Sequence, residues 1–221
     1  MATFLLVHGA WHGAWCWERL TPLLRAAGHD VIAPDLPAHG ADDTPWWRAT
    51  LGAYARRACE AARPAGRVIA VGHSLGGLVI SEAANREPER FAALLYLAAF
   101  VPLPGESLMG LGRSDRAGRV PQAARWGLGE VSIRPERAAP VFYNTCPPEA
   151  AAEAAARLCP TPLWPMVQRA RAAAPRALQR RMHQRFPMAG VVTLETDHSP
   201  FLGAPEALAA QLDALAGIAA P

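Results

Sequence analysis

The chain has 221 residues, 51% of them hydrophobic and 19% charged, which suits one globular domain with a full core. Its net charge of +3 and pI near 8.9 come from scattered arginines with no dense basic run, so a nucleic-acid partner is not expected. No apolar stretch is long and uninterrupted enough for a membrane span, no signal peptide is expected, and the four cysteines Cys16, Cys59, Cys146 and Cys159 show no C-x-x-C spacing. Free thiols in a reducing, cytoplasmic setting are expected, with no membrane partner.

Thr3-Phe4-Leu5-Leu6-Val7 reads as a short apolar strand that exits into His8-Gly9-Ala10, and the unit His-Gly-Ala-Trp then repeats once at residues 12–15. Trp17, Leu20, Leu23, Leu24 and Ala27 recur at helical spacing, and Gly28 is placed to end that helix. His29 to Pro34 is the next strand, with a turn-rich exit through Asp35-Leu36-Pro37-Ala38-His39-Gly40. Leu51, Tyr54, Ala55, Ala58 and Ala62 mark a second helix. Arg67 to Val71 is a buried strand, Leu78 to Ala84 a helix, and Phe91 to Ala99 a fourth strand. Strand and helix alternate throughout, which predicts an α/β fold: a mostly parallel sheet with helices on both faces.

From Val101 to about Pro165 that alternation stops. Pro, Gly and Arg are frequent, and only Glu149 to Leu158 reads as a clear helix. The stretch 102–165 is expected to be a lid without strands, inserted in a single domain spanning residues 1–221. Leu178, Met182 and Phe186 predict a further helix, Gly190 to Glu195 a last strand, and Leu208, Leu212 and Leu215 a closing amphipathic helix.

The chemistry concentrates in Gly72-His73-Ser74-Leu75-Gly76-Gly77. A Gly-x-Ser-x-Gly turn between a strand and a helix is the context of a nucleophile elbow. The two outer glycines let strand and helix approach, and the serine is held in a strained conformation at the tip. A serine hydroxyl needs a base and donors for an oxyanion. His198, just past the last expected strand, is the candidate base. The amides of Leu75, at the first turn of the helix, and of Ala10, at the first strand's exit, are the candidate oxyanion donors. His8 and His12 have no carboxylate or cysteine beside them, so no metal is expected, and no organic cofactor. Trp11 and His12, with Trp126 and Trp164 of the lid, are the candidate substrate-binding residues. The lid's Leu, Met and Trp content suggests an apolar or aromatic acyl group.

These motifs resemble the α/β-hydrolase superfamily. More narrowly, the chain is similar to the group that holds plant methyl-ester esterases, hydroxynitrile lyases and bacterial carboxylesterases including pyrethroid hydrolases. The resemblance rests on Leu6 to Trp15, Ala26-Ala27-Gly28-His29, the elbow, Tyr96 to Phe100, Pro104-Gly105-Glu106, Tyr143-Asn144 and Asp197-His198-Ser199-Pro200-Phe201. It implies Ser74 as nucleophile, His198 as base and the Ala10 and Leu75 amides as the oxyanion hole. The lyases carry a lysine after the catalytic histidine and a threonine after the first one; Ser199 and Gly9 stand here, which favours ester hydrolysis.

One departure stands out. The resemblance implies a strand, followed by a triad aspartate, between Trp164 and Pro175. The residues present, Pro165 to Ala174, include no acid and are too few. The sheet is therefore expected to be one strand short, leaving an edge that must be covered or paired with another copy of the chain as a homodimer. Glu106, after the fourth strand, is the first substitute for the triad acid; Asp197 and Asp115 are the others. The expected function is a serine carboxylesterase acting on small esters through an acyl-enzyme. The alternatives are a feeble hydrolase fold that binds a small apolar ligand, and a hydroxynitrile lyase.

Overall fold

Apolar strands alternating with one-sided helices can bury both faces of a sheet only by crossing over it. The computed structural model, which describes residues 1–113, 119–171 and 190–219, does this. In chain order come β1 (Thr3–Val7), α1 (Leu20–Ala26), β2 (Asp30–Ile32), α2 (Leu51–Ala62), β3 (Val68–His73), α3 (Gly76–Arg86) and β4 (Phe91–Leu97). The four strands form one parallel sheet in the order β2-β1-β3-β4. The pleat of β1 divides the core: Phe4 and Leu6 join Leu20 and Leu24 of α1, while Leu5 and Val7 join Tyr54 and Ala58 of α2 and Leu78 of α3. Thr50 caps α2, its hydroxyl accepting the Ala53 amide at 3.1 Å, a contact worth about 1 kcal/mol.

After β4 come α4 (Leu108–Gly112), α5 (Val120–Ala123), β5 (Ala124–Trp126), β6 (Glu130–Ile133), α6 (Pro135–Phe142), α7 (Pro148–Ala156), β7 (Thr161–Pro162) and α8 (Leu163–Val167). The lid thus contains strands, contrary to the sequence-based expectation. β5, β6 and β7 pair antiparallel. At two to four residues each they are too short to show an alternating pattern.

The chain ends with α9 (Pro200–Gly203) and α10 (Pro205–Ala219). Leu208 and Leu212 of α10 are buried in the α1 side of the core. The helix expected around Leu178, Met182 and Phe186 lies outside the described residues, as does Asp115.

The expected last strand does not form. Residues 190–194 have no regular structure, and Val191 and Val192 are 61% and 48% exposed. A strand needs a neighbour for its amides and carbonyls. Among the described residues β4 pairs only with β3. Every residue of β3 is buried, whereas every residue of β4 after Phe91 is only partly so. Where the extra strand would begin, the chain is fastened elsewhere. Gln168 accepts the Leu51 amide at 2.7 Å, Ala170 exchanges backbone bonds with Gly105 and Glu106, and the Arg171 amide donates to Glu82 of α3.

Candidate active site

Ser74 sits between β3 and α3 with φ +52°, the left-handed region that costs a non-glycine residue on the order of 1 kcal/mol or more. The surrounding geometry imposes it. A Cβ on Gly72 would lie 2.5 Å from the Gly76 carbonyl oxygen, and one on Gly76 would lie 2.5 Å from that of Val7. Strand, turn and helix therefore touch through bare backbone. The Ser74 carbonyl accepts the Gly77 and Phe100 amides, both at 3.1 Å.

Beside the elbow, buried histidines hold the exit of β1. His8 donates from Nδ1 to the Gly9 carbonyl at 2.9 Å and accepts the Leu36 amide on Nε2 at 3.0 Å. Fixing the Gly9 carbonyl fixes the opposite end of the same planar peptide, the Ala10 amide. His12 donates from Nδ1 to the Ala10 carbonyl and meets the Tyr143 hydroxyl with Nε2, both at 2.8 Å. The Trp11 amide donates to Thr161 at 2.6 Å and its indole to the Val131 carbonyl at 2.8 Å, which ties this loop to the lid. Thr161 also meets His39, which meets Tyr54, at 3.2 Å each. Among the described residues, neither the Ala10 nor the Leu75 amide donates to a backbone carbonyl.

Burial pushes the His12 and His39 pKa values down to about 4 and those of His8 and His73 well below the usual imidazole value. These four rings are neutral at pH 7. Burial also lowers the His198 pKa, against the opposing field of the Asp197 carboxylate. His73 donates from Nε2 to the His198 carbonyl at 2.8 Å, and the two rings lie 4.7 Å apart. His73 thus braces the backbone of His198. Among the described residues no carboxylate hydrogen-bonds the His198 ring.

A cavity of about 520 Å³ joins these parts. Ser74, His198, Ala10, Trp11, Phe142 and Trp126 all contribute to its wall. Trp11 and Trp126, two of the four expected substrate-binding residues, line it. His12 and Trp164 are not among its lining residues: His12 is buried behind Ala10, and Trp164 is half-exposed on α8. Met166, two residues on, lines the cavity instead, because Trp164 and Met166 lie on different faces of that helix. Asn144, in the turn after α6, also lines it. Glu106 follows β4, and its carboxylate accepts the Leu103 amide at 2.7 Å. Nothing in the sequence pointed to Thr161 or His39, which meet across 122 residues.

The elbow, the parallel sheet and His198 on a loop beyond it define a hydrolase-type scaffold. The chain belongs to the Alpha/beta hydrolase family, whose profile matches residues 4–211. It is 45% identical over 112 residues to "Probable esterase PIR7A" of Oryza sativa subsp. indica, covering 48% of this chain and 41% of that protein. The match therefore spans less than half the length of that relative. It is 33% identical over 181 residues to "Methyl jasmonate esterase 1" of Vitis vinifera, covering 73% and 67% of the two chains. Among solved structures, a pyrethroid hydrolase from Sphingobium faniae JZ-2 superposes with a TM-score of 0.83 at 27% identity, covering 99% of this chain and 97% of that one.

Proposed function

We propose that the protein is a serine carboxylesterase acting on small esters of apolar or aromatic acids. Ser74 attacks the ester carbonyl while His198 takes its proton. The negative oxygen is held by the Ala10 and Leu75 amides, the second of which begins α3. His198 returns the proton to the leaving alkoxide, and an acyl-serine remains. Water, deprotonated by His198, then releases the acid and restores Ser74. No step calls on a metal or an organic cofactor.

The observation that carries this reading is the joint presence of strained Ser74, His198 and Ala10 in one apolar-walled cavity. The names of the relatives, which act on a methyl ester and on pyrethroids, support the ester class. The base is neutral at pH 7, as a general base must be.

A second reading is a feeble hydrolase that mainly binds an apolar ligand. It is favoured by the His198 ring, which lacks a carboxylate partner among the described residues; such a pair retains part of the catalysis of a full triad. Glu106 is the acid to test from the β4 side. The deciding experiment is hydrolysis of p-nitrophenyl acetate and butyrate by wild type, Ser74→Ala, His198→Ala and Glu106→Gln, with fluorophosphonate labelling of Ser74. Rapid turnover and labelling, both lost in Ser74→Ala, uphold the esterase. Wild type no faster than Ser74→Ala upholds the binding protein. Loss of turnover in a folded Glu106→Gln assigns Glu106 the acid's role.

A further inference from the structure

In a sheet-borne site the base is placed by the strand that precedes it. Here residues 190–194 form no ladder, and Val191 and Val192 face solvent. Besides the His73 bond to its own carbonyl, the bonds that hold His198 converge on the residue before it. Asp197 Oδ2 accepts the Thr145 amide at 2.9 Å and the Cys146 thiol at 3.4 Å. Its Oδ1 accepts the Ser199 amide at 2.8 Å. The bond is returned: the Asp197 amide donates to the Thr145 hydroxyl at 3.2 Å. One carboxylate therefore grips both sides of His198 and fastens them to the lid turn that follows α6.

We propose that Asp197 is the positioning residue of the base: its carboxylate clamps the His198 loop to the Thr145–Cys146 turn of the lid and keeps a fixed negative charge beside the imidazole. The inference rests on the roles given to Ser74 and His198 under the proposed function. Both carboxylate oxygens are occupied by these donors, so Asp197 acts through the loop and through space, not by touching the ring. Among the described residues the charge acting on His198 is that of Asp197; Arg113 and Arg119 line the same cavity. His73 of the elbow and His12 beyond β1 are neutral because they are buried. Burial raises the pKa of Tyr143, and it pushes the Cys146 thiol up to about 12, so the latter stays a donor. The carboxylate is then the charge that stabilises the imidazolium formed when Ser74 gives up its proton. The lid turn and the base become one unit, so lid position sets base position.

Two variants separate the effects. Asp197→Asn removes the charge and turns an NH₂ toward the Thr145 or the Ser199 amide. Thr145→Ala removes the returned hydrogen bond and leaves the charge. Expected for Asp197→Asn is a fall in kcat/KM for p-nitrophenyl butyrate of about a hundredfold, the scale of a misplaced reacting group, carried by kcat rather than KM. The acid limb of its pH profile should move to lower pH, because the charge that raises the His198 pKa is gone. Thr145→Ala should lower kcat and leave that limb in place. Titration of ¹³C-labelled histidine by NMR reads the same shift on His198 without any turnover. If wild type neither hydrolyses the ester nor labels with fluorophosphonate, the esterase reading fails, and the NMR titration still decides the role of Asp197. Wild-type kcat/KM in Asp197→Asn, or an unmoved His198 titration, overturns the proposal. Should Asp197→Asn not fold, Thr145→Ala carries the test, and wild-type kcat there overturns the clamp.

Discussion

Ser74 and His198 reach the same cavity by different physical means. Ser74 stands at the end of β3, paired on both sides and buried along its length, and its turn is closed by backbone contacts at Gly72 and Gly76. His198 stands after a segment with no ladder and is held by the Asp197 carboxylate and the His73 ring. Ser74 is positioned by packing that cannot yield without a clash. His198 is positioned by a few hydrogen bonds, each worth on the order of 1 kcal/mol. The His198 side is therefore the softer half of the site, because residues 190–194 before it form no strand.

The largest expected effect is chemical. Ser74→Ala should reduce ester hydrolysis on the order of a thousandfold and abolish fluorophosphonate labelling; residual turnover equal to wild type would remove Ser74 from the reaction. Next comes the elbow's steric closure. Gly76→Ala puts a Cβ 2.5 Å from the Val7 carbonyl oxygen and should cost about 3 kcal/mol in urea unfolding. Of similar size is the response to acid. His12 and His39 stay neutral in the fold down to about pH 4, whereas in the unfolded chain they protonate near pH 6.5. Their folded pKa is the lower one, so the stability they contribute is complete above pH 6.5 and is lost as pH falls toward 4. The loss is on the order of 3 kcal/mol for each ring, measured as the urea midpoint at pH 7 and pH 4.5. A flat profile would contradict their burial.

Smaller effects sharpen the contrast. Trp126→Ala, which opens the cavity wall, should raise KM for p-nitrophenyl butyrate about tenfold, while Trp164→Ala, outside that wall, should leave KM within about twofold. The smallest effect belongs to the segment expected to be a strand. Val192→Ser should change stability by less than about 0.5 kcal/mol, because Val192 is 48% exposed. A large loss there would show that the segment is buried against another surface.

Much of the first half was legible because its signals are local. A run such as Val68–Val71 followed by Gly-x-Ser-x-Gly allows one geometry, and strict alternation with helices allows one sheet type. The lid strands were not legible, since segments of two to four residues carry no period. Residues 190–195 have strand-forming side chains, yet strand formation depends on a partner that the segment's own sequence does not encode. Likewise Asp197 beside His198 says nothing of Thr145, 52 residues away.

By itself, then, the sequence determined the parallel α/β order, the serine elbow and the lack of an acid between Trp164 and Pro175. Those follow from chain-local spacing, backbone sterics and a count of residues. Only the tertiary structure decided which tryptophans line the cavity, that His8, His12, His39 and His73 are buried and neutral, and that Asp197 meets the Thr145–Cys146 turn. These depend on which distant groups meet and on how much water their meeting excludes, and both are properties of the packed molecule rather than of any stretch of chain.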